Sequence, residues 1–333
     1  MNFNDNFNNS IIFGLTNSNI TAQKVAKLTG IEFGYIKTSK FADGEILVKS
    51  ETTVRGKDIF LFQSTSYPVN DNLMELLIAI DSLKRASANS ITIFVPYFGY
   101  ARQDRKAKGR EPITCKLVAN FLETAGATKV ILIDVHSEQS QGFFDIPVDT
   151  LTVSCVLLKE LIKKEPSLVN NLTMVAPDYG AVKKVRKISE MLNANLAIVD
   201  KRRPKPNVVE ISDVLGDVNN KNCLLIDDMI DTGETILQNI ELLKKHNCKD
   251  IYVMATHGVF SNNAIEKFKY ALDKGDIKEL YISDTIEKNA TIKHPKIFVV
   301  DLSTFYSEII LAQIGHNSVS DIYKKYWNFV CPK

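Results

Sequence analysis

CLLIDDMIDTGET, residues 223–235, reads as a strand, a turn and the start of a helix. The apolar run ends in Asp227 and Asp228. A short turn through Asp231, Thr232, Gly233, Glu234 and Thr235 then leads into TILQNIELLKKHN, whose apolar residues recur at helical spacing. A strand that is apolar without alternation is buried on both faces, which predicts a parallel sheet sandwiched between helices. A tight turn at a helix N-terminus presents backbone N–H groups and hydroxyls to a phosphate. Two adjacent carboxylates can accept hydrogen bonds from vicinal hydroxyls, or hold Mg²⁺ through water. The plainer alternative is an acidic strand-to-helix turn with a threonine cap.

The same grammar extends in both directions. Strands are predicted at 11–16, 58–63, 91–95, 129–135, 172–176, 196–200, 222–228, 250–256, 278–283 and 296–301. DNLMELLIAIDSLKRAS carries Leu73, Leu76, Leu77, Ile80 and Leu83 at helical spacing, and TCKLVANFLETAG stops at Gly126. So many strands predict two α/β domains, over 11–155 and 156–304. A helix at about 305–323 is expected to return to the first domain, with 1–10 and 324–333 as tails. Ligands of such sheets bind where strands end.

Four further segments follow strand ends. PYFGYARQDRKAKGREPIT (96–114) collects Arg102, Arg105, Lys106, Lys108 and Arg110, cations suited to a polyphosphate. Alone it would equally suit a solvated loop or a nucleic-acid patch. DKRRPKPNVVE (200–210) holds Lys201, Arg202, Arg203 and Lys205, and its prolines forbid a helix, predicting a loop. DVHSEQSQGFFD places His136, and APDYGAVKKV places Asp178, just past a strand. Taken singly, either is more often structural than a ligand.

Composition narrows the field. Forty-one basic against 39 acidic residues leave a formal charge of +2, which argues against a nucleic-acid module. The five cysteines, Cys115, Cys155, Cys223, Cys248 and Cys331, are odd in number and lack metal-ligand spacing, as expected of reduced thiols in a cytoplasm. No apolar run approaches the roughly 18 residues needed to span a membrane, and MNFNDNFNNS does not read as a targeting peptide.

Together with FADGE (41–45), NDNLMELL (70–77), GYARQDRK (99–106), QGFFDIP (141–147), KRRPKPN (201–207) and THG (256–258), the DDMIDTGET turn resembles the class I ribose-phosphate diphosphokinases. The turn by itself is similar to the 5-phosphoribosyl-binding signature of type I phosphoribosyltransferases. The likeness spans about residues 11–323 and implies two tandem phosphoribosyltransferase-type domains, each a mainly parallel sheet flanked by helices. It implies transfer of the β,γ-diphosphoryl group of ATP to ribose 5-phosphate, giving phosphoribosyl diphosphate and AMP. It further implies that Phe41, Asp43 and Glu45 meet adenine across a subunit boundary, and that Arg102, Gln103 and His136 hold the nucleotide. His136 and Asp178 would stand near Mg²⁺, Lys201 and Arg203 would be catalytic, and Asp227, Asp228 and 231–235 would hold ribose 5-phosphate. A homohexamer activated by inorganic phosphate and inhibited by ADP is implied, with Thr53, Arg55, Ser318 and Ser320 at the regulatory site.

Some residues depart from that pattern. Glu234 stands where the family usually has glycine, Ala181 closes PDYGA, Thr53 replaces serine, and the ending DIYKKYWNFVCPK is unlike the family's shorter one. Glu234 suits the helix dipole only if its carboxylate points away from the phosphate. A phosphoribosyltransferase would share the turn but not the other segments. A catalytically silent regulatory subunit would have a broken Lys201–Arg203 loop.

Overall fold

The computed structural model describes residues 3–202 and 211–331, which divide into two compact units. Unit 1 holds α1 (Phe3–Asn8), β1 (Ser10–Gly14), α2 (Asn19–Thr29), β2 (Glu32–Phe33), β3 (Ile36–Lys40), β4 (Ile46–Ser50), β5 (Asp58–Phe62), α3 (Val69–Arg85), β6 (Ser90–Val95), α4 (Thr114–Ala125), β7 (Lys129–Ile133) and β8 (Val148–Leu151). Its main sheet runs β2-β1-β5-β6-β7-β8, and every pairing in it is parallel. β3 and β4 form a separate antiparallel hairpin.

Burial explains why these strands are uninterrupted apolar runs. On one face Ile59, Leu61, Ile91, Ile93 and Val95 join Leu76, Ile80 and Leu83 of α3 and Val118 and Leu122 of α4 in one core. On the other, Phe62 stacks on Phe94 with centroids 4.4 Å apart. Tyr306 stands edge-on to both rings, at 5.6 and 6.0 Å. Tyr306 belongs to the C-terminal helix α9 (Ser303–Ile314), which is part of unit 1.

Unit 2 holds α5 (Ser154–Lys164), β9 (Leu172–Ala176), α6 (Val182–Leu192), β10 (Asn195–Arg202), β11 (Ile211–Leu215), β12 (Asn222–Ile230), α7 (Glu234–Lys245), β13 (Ile251–Gly258), α8 (Ala264–Lys274), β14 (Glu279–Ser283) and β15 (Ile297–Val300). The sheet runs β11-β10-β9-β12-β13-β14-β15, parallel except for the antiparallel edge strand β11. Leu225, Val253 and Ile282 pack with Ile236, Ile240 and Leu243 of α7 and with Phe268 and Leu272 of α8. The two units are thus each a mainly parallel sheet flanked by helices, as the motifs predict.

Several details differ from the expectation. The C-terminal helix expected over 305–323 is two helices, α9 (Ser303–Ile314) and α10 (Val319–Val330), separated where His316 takes a φ of +53°. α9 has apolar residues all round and is buried accordingly. Residues 3–8 and 324–330, expected as tails, are helical, and Tyr326 and Val330 are buried. Lys159 lies over the rings of Tyr326 and Phe329, at 5.1 and 5.3 Å. β2, β3, β4, β8 and β11 were not foreseen: all are short, and β3 (IKTSK) interleaves its apolar residue with polar ones.

The Phe62–Phe94–Tyr306 cluster should dominate the stability of unit 1. Phe94→Ala is expected to lower the unfolding free energy by about 3–5 kcal/mol, measured by urea denaturation.

Candidate active site

The carboxyl edge of the first sheet is shaped by close backbone approach. Gly99 follows β6 and donates its N–H to Thr65 Oγ1 at 2.7 Å, and a Cβ there would stand 2.7 Å from the Thr65 carbonyl oxygen. Only glycine fits, so the chain turns outward into the basic loop at a fixed point. Gln103 is anchored at both ends of its residue: its N–H donates to the Tyr100 carbonyl at 2.9 Å, and Thr114 Oγ1 donates to its Oε1 at 2.6 Å. Glu111 accepts the N–H groups of Ala107 and Lys108 at 2.9 and 2.8 Å, curling the cationic run around one carboxylate. Arg102, Arg105, Lys106, Lys108 and Arg110 remain exposed. His136, also exposed, follows β7, the neighbour of β6. Behind it the buried Asp134 accepts hydrogen bonds from Thr152 Oγ1 (2.9 Å) and the Val153 N–H (3.0 Å). Arg102, Gln103 and His136 therefore leave adjacent strand ends of one sheet.

Phe41, Asp43 and Glu45 form the tip of the β3–β4 hairpin. Phe41 donates its N–H to the Glu45 carbonyl (2.8 Å), and Asp43 Oδ1 accepts the Glu45 N–H (3.1 Å). Gly44 takes a φ of +97°, which the tight tip requires. The Phe41 ring is 56% exposed. Thr53 and Arg55 are exposed between β4 and β5, and Ser318 and Ser320 are exposed at the start of α10, where Ser318 Oγ accepts the Ser320 N–H at 3.2 Å.

In the second sheet, β12 carries Asp227 and Asp228 at its end. Asp227 Oδ1 accepts the Asp228 N–H at 2.8 Å. Burial, the neighbouring Asp228 carboxyl and the charge of Asp178 push the Asp227 carboxyl up to about 8. Such crowding of like charge is what a cation or a set of hydroxyl donors would relieve. Asp178 follows β9, the neighbour of β12, and its Oδ1 accepts the Ala181 N–H at 3.0 Å, closing the turn that leads into α6. Lys201 lies in β10, on the other side of β9, opposite Ser212 of β11. Arg203 lies outside the described residues. The segment 201–207, expected as a loop from its start, is thus strand through Arg202.

Gly233 makes the tight turn before α7 possible. Its φ is +74°, and a Cβ would meet the Phe268 ring at 2.4 Å. α7 starts at the next residue, so the first-turn N–H groups near Thr232, Glu234 and Thr235 have no intrahelical acceptor. Glu234 is exposed and its carboxylate pairs with Lys267 of α8 at 3.8 Å. One contributor escaped the sequence: Asn239 is buried in the apolar stripe of α7 and donates from Nδ2 to the Pro177 carbonyl at 3.0 Å. It ties the turn that bears Asp178 to the helix that begins after Gly233. A polar residue between Ile236, Ile240 and Leu243 is the signal that could have found it.

Among the described residues no group of three or more His, Cys, Asp or Glu side chains forms a metal cage. Mg²⁺ does not need one, because it binds through one or two carboxylates, phosphate oxygens and waters. Asp178, just past β9, offers one such carboxylate, and the exposed His136 just past β7 offers an imidazole nitrogen. Among the described residues no helix is long and apolar enough to cross a membrane.

Residues 10–126 match the family model of the N-terminal domain of ribose phosphate pyrophosphokinase, and residues 183–324 that of the phosphoribosyl synthetase-associated domain. The ribose-phosphate pyrophosphokinase of Mycoplasma pneumoniae is 47% identical over 325 residues, covering 97% of this chain and 98% of that one. The Thermotoga maritima enzyme of the same name is 47% identical over 303 residues, covering 91% and 94%. A crystal structure of phosphoribosylpyrophosphate synthetase from Mycobacterium smegmatis superposes with a TM-score of 0.85 at 36% identity, covering 93% of this chain and all of that one.

The raised Asp227 carboxyl has a thermodynamic consequence. The folded chain holds this proton more tightly than the unfolded chain does, so the group subtracts stability as pH rises from 3.8 toward about 8. Asp227→Asn should therefore melt at a higher temperature than the parent at pH 8, with the gap closing toward pH 4. Calorimetry across that range checks it; equal melting temperatures at pH 8 would count against the assignment.

Proposed function

The chain belongs to the ribose-phosphate pyrophosphokinase family, and from that premise we propose how its residues divide the reaction. The activity is transfer of the β,γ-diphosphoryl group of ATP to the 1-hydroxyl of ribose 5-phosphate, yielding 5-phosphoribosyl 1-diphosphate and AMP for nucleotide biosynthesis. The observation that carries the residue assignment is the juxtaposition at the end of β12: two carboxylates, a glycine-only turn and a helix N-terminus in one run. The 5-phosphate sits on the N–H groups and hydroxyls of Asp231 to Thr235, where the helix dipole favours negative charge. Asp227 and Asp228 accept hydrogen bonds from the ribose hydroxyls, and so fix where the 1-hydroxyl points.

That oxygen attacks the β-phosphorus in line. The bond to the oxygen bridging the α- and β-phosphorus atoms breaks, and negative charge passes to the AMP that leaves. Little covalent work falls to the protein in such a transfer; position and charge are what it supplies. Arg102 and Gln103 hold the nucleotide phosphates together with His136, while Phe41, Asp43 and Glu45 receive the adenine of ATP bound to a neighbouring subunit. Lys201 and Arg203 place cations where charge develops on the β-phosphoryl oxygens. Mg²⁺, which neutralises and orients phosphate oxygens when bound, would be held by Asp178 and His136. We place the enzyme in the cytoplasm as a homohexamer. Inorganic phosphate would activate it and ADP inhibit it through Thr53, Arg55, Ser318 and Ser320.

Product analysis by ³¹P NMR, with ATP, Mg²⁺, inorganic phosphate and ribose 5-phosphate, should show AMP forming in step with a sugar diphosphate. ADP as product, or no turnover from folded protein, would refute the reading. Lys201→Ala should lower kcat by about 10²–10³-fold while the ATP KM stays within a few-fold. Asp228→Ala should raise the KM for ribose 5-phosphate by about 10-fold or more and leave that for ATP nearly unchanged.

A further inference from the structure

Glu75 is a carboxylate on α3 with 3% of its surface exposed, and the mechanism above gives it no task. Its oxygens are nonetheless fully engaged. Oε1 accepts the Thr16 hydroxyl at 2.7 Å, the Thr16 N–H at 3.4 Å and the Thr38 hydroxyl at 2.7 Å. Oε2 accepts the Gln63 amide at 2.6 Å. These donors come from three places: Thr16 lies just past β1, Gln63 just past β5, and Thr38 in the middle of β3. Gln63, wholly buried, spends its own Oε1 on the Asn17 N–H at 3.1 Å. One carboxylate thus joins two strand ends of the main sheet to the separate hairpin.

The hairpin is placed by side-chain contacts and not by the main sheet. β3 and β4 pair only with each other, and β3 is mostly exposed. Its inward residues are Ile36, Thr38, Ile46 and, opposite Thr38, Val48; Val48 enters the core over α3, and Ile36 and Ile46 pack against that core. An ion pair between Lys40 and Asp71 of α3, at 2.5 Å, adds a second tether, but both side chains are about half exposed and the pair is correspondingly weak. Hydrogen bonds to a buried charged acceptor are stronger and more directional. Apolar packing holds the hairpin against α3 without direction, and the bond between Thr38 and Glu75 is the buried directional contact that fixes its place.

We propose that Glu75 is a positioning residue for the nucleotide end of the reaction, fixing the β3–β4 hairpin and so the aim of Phe41, Asp43 and Glu45 at its tip. The inference rests on the reading that this tip contacts ATP. A carboxylate is required because both oxygens must accept. Glutamine at 75 could keep its oxygen on the threonines only by turning its NH₂ toward the NH₂ of Gln63. Rotating the Gln63 amide to relieve that clash would place its NH₂ against the Asn17 N–H. Glutamate at 63 removes the conflict, since it accepts from both Asn17 and the new amide.

The test is hydrogen–deuterium exchange of the full-length enzyme, read by mass spectrometry, together with both KM values. Glu75→Gln should speed exchange selectively in peptides spanning 36–50 and raise the ATP KM by roughly tenfold, with the ribose 5-phosphate KM within about twofold. Gln63→Glu combined with Glu75→Gln should restore both readouts. Unchanged exchange in the hairpin, an increase spread evenly over unit 1, or failure of the double variant to rescue would overturn the proposal. Phe41→Ala separates the two levels. If it leaves the ATP KM unchanged, the tip does not meet nucleotide and the underlying reading falls, whatever the exchange shows.

Discussion

Two carboxylates stand side by side at the end of β12, partly withdrawn from water, with a third from Asp178 close enough to be felt. Nothing in folding favours such an arrangement: each charge raises the cost of the next, and burial raises the cost of all. The rest of unit 2 overdetermines it. β12 lies between β9 and β13 in the sheet, its leucines are wholly buried, and Gly233 admits the Phe268 ring where any side chain would clash. The strand cannot shift register without moving its apolar set. The carboxylates stay where the strand ends, and the helix N-terminus stays beside them.

This divides labour between fold and site. The core is made of mostly apolar runs, and the candidate site residues gather in the last residues of strands or in the turns just past them. Even the supports of the site are polar groups inside otherwise apolar elements: Asn239 in the stripe of α7, Glu75 within α3 and Asp134 past β7. Asn239 bonds the turn that carries Asp178, Glu75 bonds two strand ends and the hairpin that carries Phe41, and Asp134 bonds the residues past β8. Buried polar groups need their partners, so these side chains hold the turns in place as the turns hold them.

The legibility of the sequence follows from the same division. All ten predicted strands are present because each is a short apolar run buried on both faces, and DDMIDTGET could be read because strand, turn and helix signals fall together within thirteen residues. The β3–β4 hairpin was invisible: IKTSK looks like surface, and its fixation depends on Thr38 meeting a glutamate 37 residues away. Glu75 itself sits in NDNLMELL, indistinguishable in sequence from a solvated helix glutamate. The division of the C-terminal segment into α9 and α10 was missed although Gly315 lies at the break, because the apolar residues on either side continue a plausible helical spacing. Arg203 belongs to residues the structure does not describe, and its catalytic role stands on the sequence resemblance alone.

If Asp227 and Asp228 hold the ribose hydroxyls as proposed, the bound sugar relieves the crowding of these carboxylates. Isothermal titration of ribose 5-phosphate near pH 7, in two buffers of different ionisation enthalpy, measures the protons exchanged on binding. Comparison of the parent with Asp227→Asn isolates the contribution of this carboxyl from that of the sugar phosphate. Hydroxyl donors favour its charged form, so the parent should release more protons than the variant. Identical proton counts in the two would mean that Asp227 does not change its ionisation on binding, and the account of the site would be wrong.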